Sequence, residues 1–110
     1  MDAFEIAEII AAREKSGERY LEFFRASTLS VGLYVLHASE PDPQRPHTED
    51  EIYYVVSGRG KIRVANETRD VQPGSIIFVE AGVEHRFHDI AETLTILVVF
   101  APPRGSQASA

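Results

Sequence analysis

The residues that could perform chemistry gather in two stretches, and the first spans residues 44–60. His47, Glu49 and Glu51 alternate there with other polar residues. In an extended chain, side chains two residues apart lie on the same face, so one imidazole and two carboxylates can point the same way. This spacing predicts half of a metal site.

The second stretch begins at Gly74 and supplies another imidazole. An apolar run at residues 75–79 predicts a strand, Gly82 predicts a turn, and a new strand begins at His85. His85 can then face His47. Two imidazoles with the carboxylate of Glu51 form a facial triad, which suits ferrous iron and leaves positions open for substrate or oxygen, although manganese, nickel or zinc could also occupy it.

Together the two stretches resemble the paired motifs of the cupin superfamily, in outline G-x5-H-x-H-x3-E-x6-G and G-x5-P-x-G-x2-H-x3-N. The matching residues are His47, Glu51 and Gly58 in the first motif and Gly74, Gly82 and His85 in the second. The resemblance extends over about residues 30 to 100. It favours Glu51 over Glu49 as the carboxylate ligand.

The chain also departs from the family pattern. The family's first histidine falls on Arg45, and a guanidinium cannot ligate a metal because it has no free lone pair. Gln44 is the best candidate for a fourth ligand, since its amide oxygen is a hard donor and Pro46 interrupts the regular alternation. Arg45 would repel a divalent ion unless it points outward or binds an anionic substrate. The remaining departures are Ser39, Glu80 and Asp89.

The resemblance implies a metal-binding protein with a small-molecule ligand. One interpretation is an enzyme acting on a small oxygen-rich or carbonyl compound, of the dioxygenase, isomerase or lyase type. Glu49 and Tyr53 are then the candidates for proton transfer, although a solvated charge is the simpler role for Glu49. The alternative is a non-catalytic module that binds a metal or small molecule.

The rest of the chain must position these residues. The pattern predicts one domain over residues 1–110, with a helix at about residues 3–15 capped by Asp2, a β-barrel at about residues 20–101 and a flexible tail at residues 102–110. We count seven to nine short strands, with turns that include Ser57 to Gly60. The predicted fold class is all-β, a cupin-type double-stranded β-helix or jelly-roll barrel with a short N-terminal α-helix. The expected pocket lining is Tyr53, Val55, Phe78, Phe87 and Leu97.

Composition excludes several classes of function. With 17 acidic and 11 basic residues the formal charge is −6, and no basic stripe suited to nucleic acid is present. No apolar run approaches the roughly 20 residues of a membrane span, and the N-terminus does not resemble a signal peptide, so we expect a cytoplasmic protein. The chain has no cysteine, so a metal site must use nitrogen and oxygen.

The apolar residues also predict a homodimer. Ile52, Tyr54 and Val56 alternate with the inward set, so this strand is apolar on the face that looks away from the barrel. The strand at residues 94–100 is apolar on both faces. A single short helix cannot cover two such strands, and large exposed apolar surfaces mark interfaces.

Overall fold

The computed structural model describes residues 1–106, which contain one helix and six strands. The elements are α1 (Ile6–Ser16), β1 (Tyr20–Arg25), β2 (Ser30–Leu36), β3 (Asp50–Val64), β4 (Glu67–Val71), β5 (Ile76–Val79) and β6 (His85–Ala101). The predicted all-β class with a short N-terminal helix is confirmed. Residues 107–110, the end of the predicted flexible tail, lie outside the described part of the chain.

Helix α1 is shorter than expected at its N-terminus. It starts after Glu5, which occupies the N-cap position without a capping side-chain hydrogen bond, so Asp2 is not the cap. It ends as predicted at Gly17, whose φ of 71° is the left-handed conformation that glycine adopts easily. Within residues 1–106, no helix is long and apolar enough to cross a membrane.

The strands form one antiparallel sheet that rolls into a barrel. Its order is β1-β2-β6-β3-β4, and β5 pairs with the first half of β3. Strand β6 pairs with β2 along its second half and with β3 along most of its length. Between the two motifs, β3 and β4 form a hairpin and meet at the turn Ala65–Asn66.

The turn predicted at residues 57–60 is wrong, because β3 continues through this segment. The register of β3 against β6 shifts three times between Val55 and Lys61, so the segment is a series of bulges. A Cβ on Gly58 would lie 2.1 Å from the backbone oxygen of Thr93, and the φ of Gly58 is 95°. The polar and glycine-rich signal therefore marks a close approach of two strands. Residues 1–106 therefore contain six strands, of which β3 and β6 are long, and not the seven to nine short strands expected.

The core fills the inside of the roll and includes Tyr53, Val55 and Phe87 as expected. Phe78 and Leu97, which we placed inside, face outward. Phe78 lies directly opposite Ile52 in the ladder, and opposed residues share one face of a sheet. Phe78 is accordingly 59% exposed.

The outer surface has one covered and one uncovered apolar region. Residues before and within α1 cover β1 and β2, where the ring of Phe4 packs edge to face on Phe23 at a centroid distance of 5.1 Å. On β3 and β5, four large apolar side chains remain exposed. This outer apolar patch consists of Ile52, Tyr54, Ile76 and Phe78.

Candidate metal centre

A proline-rich loop between β2 and β3 brings His47 to the mouth of the barrel. Its prolines restrict the backbone to extended or turn geometry. The loop is closed against the opposite motif by the backbone N–H of Gly82, which donates to the carbonyl of His47 at 2.7 Å. Glu51 then enters the barrel on β3, and His85 is the first residue of β6.

His47, Glu51 and His85 converge as the sequence predicts. One potential ligand atom from each lies within 4.8 Å of the others. Nε2 of His85 is 2.9 Å from Oε1 of Glu51, and Nε2 of His47 is 4.0 Å from the same oxygen. Two ligands about 2.1 Å from one ion at a right angle are about 3 Å apart, so the spacing suits a single divalent ion.

Two members of this cluster, His85 and Glu51, have ligand atoms without a hydrogen bond within the described residues. Nδ1 of His85 lies 2.9 Å from the carbonyl of Val83, to which it donates, so Nε2 carries the lone pair in the neutral ring. Nε2 and both carboxylate oxygens of Glu51 are buried without a hydrogen bond, since the short separation of His85 and Glu51 lacks hydrogen-bond alignment. Buried lone pairs facing each other need a cation between them, so these residues fit a metal ion.

The two imidazoles differ in their pKa. Burial lowers the pKa of His47, and the nearby Glu51 carboxylate only partly opposes this. Burial also acts to lower the pKa of His85, but the Glu51 carboxylate and the Val83 carbonyl outweigh it, and the net pKa of His85 is raised. His85 is therefore the residue at which a proton and a metal ion compete.

Gln44 lies beside the cluster with its amide oriented. Its Nε2 donates to Asp42 at 2.9 Å, which turns Oε1 toward Nε2 of His47 at 3.2 Å. The hydroxyl of Tyr53 donates to the same Oε1 at 2.8 Å. Burial, followed by the charge of Glu51, raises the pKa of Tyr53 well above its usual range, so this hydroxyl keeps its proton.

Glu49 is not a solvated charge, because it is only 2% exposed. Its Oε1 accepts a hydrogen bond from the backbone N–H of Gly105 at 3.0 Å, and its Oε2 accepts one from Thr48. The backbone N–H of Arg104 donates to the hydroxyl of Ser30 at 2.9 Å. These contacts hold residues 102–106, which we expected in a flexible tail, against the barrel.

Sequence reasoning missed Asp42, which organises the loop. Asp42 is 6% exposed and accepts hydrogen bonds from the hydroxyl of Tyr34 and the backbone N–H of Phe87, both at 2.8 Å. It thereby ties the loop to β2 and β6 while it orients Gln44. The available signal in the sequence was the position of Asp42 between Pro41 and Pro43. Proline side chains are apolar, so the carboxylate of Asp42 is the main polar side chain of this short segment.

A cavity of about 350 Å³ opens beside His47. Its polar lining includes Gln44 and three arginines, Arg19, Arg45 and Arg104, while Tyr20, Tyr34 and Phe100 supply aromatic walls. The guanidinium of Arg104 lies 4.9 Å from the ring centroid of Tyr20. Arg45 is exposed at this opening, as expected for a residue that does not ligate.

The other two histidines, His37 and His88, lie away from the cluster. His37 is exposed, and its Nδ1 lies 3.4 Å from Oγ1 of Thr93, so it is a hydrogen-bonded rim residue. His88 lies on the outer side of β6, with Nδ1 3.1 Å from the carboxylate of Asp89. Neither histidine belongs to the group formed by His47, Glu51 and His85.

Comparison with known proteins agrees with this fold. An uncharacterized protein of Streptomyces coelicolor is 50% identical over 103 residues, which are 94% of this chain and 98% of that protein. The crystal structure of TT1209 from Thermus thermophilus superposes with a TM-score of 0.78 at 25% identity, covering 94% of this chain and 99% of that one. The DMSP lyase DddQ from Ruegeria pomeroyi shares the fold, with a TM-score of 0.69 at 20% identity over 87% of this chain and 52% of that chain.

The rolled antiparallel sheet, with a His/Glu/His cluster at its mouth that could bind a metal, defines a protein of the double-stranded β-helix class. The family model of the cupin domain matches residues 32–100, more than half of the sequence. The chain therefore belongs to the cupin family, and the resemblance drawn from its two motifs is confirmed.

Proposed function

We propose that this cupin holds one divalent metal ion and acts on a small oxygen-rich or carbonyl compound, as an enzyme of the dioxygenase, isomerase or lyase type. His47, Glu51 and His85 are the proposed ligands, with Gln44 as a fourth. The observation that carries the proposal is the convergence of His47, Glu51 and His85, in which Nε2 of His85 and both carboxylate oxygens of Glu51 are buried without a hydrogen bond within the described residues. Iron, manganese, nickel and zinc are all compatible with nitrogen and oxygen ligands.

A divalent ion bound at these ligands would polarise a substrate oxygen as a Lewis acid. The chain's own residues orient and enclose the substrate. Phe100 packs edge to face on His47 at 5.0 Å and fixes the imidazole plane. The aromatic walls of the cavity exclude water from one side of a bound molecule.

Of the two candidates for proton transfer, Tyr53 has its hydroxyl within hydrogen-bond reach of Gln44 beside the cluster. Its raised pKa keeps the proton on the oxygen, so Tyr53 would act by donating a hydrogen bond to a developing negative charge on substrate oxygen. Glu49, the second candidate, would have to release the N–H of Gly105 to accept a proton. We therefore assign the larger role to Tyr53.

The first test is the metal content of protein purified without chelator or nickel affinity resin. We expect close to one divalent ion per chain. His85→Ala should lose most of it, because removing one of three protein ligands weakens binding by orders of magnitude. His88→Ala is the matched control, since it removes an imidazole from the same strand outside the cluster, and it should retain the metal.

Full metal occupancy in His85→Ala would contradict the assignment of His85 as a ligand. Equal losses in both variants would show that the effect is structural. Oxygen uptake and product analysis with small carbonyl and carboxylate compounds would then separate an enzyme from a non-catalytic binding module, which would hold the metal without turnover.

We further propose that the chain works as a homodimer. The outer apolar patch supports this, because its members are 42–65% exposed and adjacent in the sheet register. Covering such a face with a second copy removes it from water without any further element of this chain.

A further inference from the structure

The cavity beside His47 is positively charged in a chain that is otherwise acidic. The formal charge of the whole sequence is −6. Among the described residues that line the cavity, three are arginines and none is acidic. A cavity that concentrates one sign of charge against the sign of the whole chain favours a ligand of the opposite sign.

Two of these arginines have side chains free for a ligand. Arg19 is already paired with Glu40, with Nη2 2.8 Å from Oε2. Arg45 and Arg104 form no side-chain ion pair or side-chain hydrogen bond within residues 1–106. The guanidinium of Arg104 instead lies over the rings of Tyr20 and Phe100, at 4.9 and 5.9 Å from their centroids. Stacking of this kind fixes the plane of the guanidinium and leaves its N–H edge available.

The backbone of Arg104 is anchored on three sides. Its N–H donates to Ser30, and its carbonyl accepts from Arg25 at 3.1 Å. The next N–H, of Gly105, donates to the buried carboxylate of Glu49. The buried side chains of Glu49 and Ser30 thus fix the backbone that carries Arg104. The guanidinium over the cavity is therefore pre-organised for binding.

A second unpartnered donor lines the same cavity. The hydroxyl of Tyr20 is buried and has no hydrogen-bond partner within the described residues. A buried hydroxyl without a partner costs free energy, which a ligand oxygen would recover. The guanidinium of Arg104 lies over the ring of Tyr20, so an anionic group held by Arg104 lies next to Tyr20.

We infer that Arg104, with the hydroxyl of Tyr20 and with Arg45 at the opening, binds the anionic group of a small molecule, a carboxylate or a phosphate. The inference rests on the proposed function in that it names the class of its substrate: the metal ligands face the reacting oxygen and Arg104 holds the charged end. A cavity of about 350 Å³ lies at the small end of the range for ligand pockets and suits a small metabolite that carries such a group. Arg104 is a binding residue in this scheme, and Glu49 and Ser30 position it.

The test is an NMR titration of the full chain with succinate, with its neutral isostere succinamide and with glycerol 3-phosphate. We expect one of the two anions to bind at least about tenfold more tightly than succinamide, because an Arg–oxyanion contact is a charge-assisted hydrogen bond. Arg104→Ala should weaken that binding about tenfold, and Tyr20→Phe should weaken it several-fold. Arg69→Ala, which removes the same charge from β4, should have no effect. The preferred anion distinguishes a carboxylate site from a phosphate site.

Equal binding of the anions and succinamide, or equal affinities in Arg104→Ala and Arg69→Ala, would overturn the inference. Each titration is run on protein as purified and again after EDTA treatment. If the protein binds no metal and still prefers the anion through Arg104, the metal proposal fails and the anion site stands. If metal binds at His85 and Arg104→Ala binds the anion as tightly as the unaltered protein, the anion site fails and the metal proposal stands.

Discussion

His85 and Glu51 are both almost fully buried and face each other across 2.9 Å. Nδ1 of His85 donates to the Val83 carbonyl, so in the neutral ring Nε2 presents a lone pair to the Glu51 carboxylate. The interaction between the two side chains becomes attractive only when Nε2 carries a proton or a metal ion. On our proposal the pair is a cation site whose occupant would depend on pH. His47 takes little part in the competition, because burial lowers its pKa.

The affinity of the protein for Mn²⁺ should therefore fall as the pH falls. The pKa of His85 is raised above its usual 6.5, so the proton stays on the ring to a higher pH than in an exposed histidine and must leave before metal binds. Below that pKa the dissociation constant should rise up to about tenfold for each pH unit, one proton being released per ion bound. Calorimetric titration with Mn²⁺ across this range measures the slope. A flat profile would contradict the placement of His85 in the site.

Residue-level reasoning found the cluster because alternation and motif spacing act over short distances. His47 and Glu51 lie on one continuous extended segment, and the family resemblance supplied His85. It failed for Glu49 and Gly105, which meet only because the segment after β6 folds back to a position 56 residues earlier in the chain. No local pattern encodes that contact, so the burial of Glu49 could not be predicted.

At the scale of elements, β3 shows how a local signal can mislead. Residues 57–60 have the composition of a turn, yet β3 continues through them with bulges because β6 lies close beside it. The glycine is required by the backbone of Thr93, which is distant in sequence. The hairpin of β3 and β4 was predictable because its two strands are adjacent in sequence and joined by a two-residue turn.

Gly58→Ala should destabilise the fold far more than Gly74→Ala. Both glycines have a φ of 95°, so the cost of the unusual backbone conformation, about 1–2 kcal/mol, is common to the two. At Gly58 the new Cβ would also lie 2.1 Å from the Thr93 oxygen, whereas at Gly74 nothing lies within 4 Å. We expect a total loss of roughly 3 kcal/mol or more for Gly58→Ala.

Urea unfolding followed by circular dichroism gives both values. If Gly58→Ala fails to fold while Gly74→Ala folds, the prediction is also supported. Equal stabilities would mean that β6 does not approach β3 as closely as the structure places it.

For the molecule as a whole, the distribution of apolar surface is uneven. Helix α1 and Phe4 protect one outer face, and the outer apolar patch on β3 and β5 is left open. The prediction that the helix would not cover both strands came from counting apolar faces. Which face stays uncovered depends on the packing of α1, and sequence did not specify it.

A charge placed in the patch should convert a dimer into a monomer. Phe78→Asp removes one of its most exposed apolar side chains and sets a carboxylate against the same patch on the second copy. Thr68→Asp, at an exposed polar position on β4, is the control and should leave the mass unchanged. Light scattering at micromolar concentration measures both. A monomeric mass for the unaltered protein would remove the dimer proposal.

The double pairing of β6 has a consequence for how the chain reaches its fold. This strand joins β2 on one side and β3 on the other, so neither has its main neighbour until residues 85–101 are available. Contacts between segments so far apart in sequence make folding slow relative to a helical protein of equal size. During synthesis the earlier strands can form local hairpins at most, and the barrel, with His85 in it, closes only after the last strand has left the ribosome.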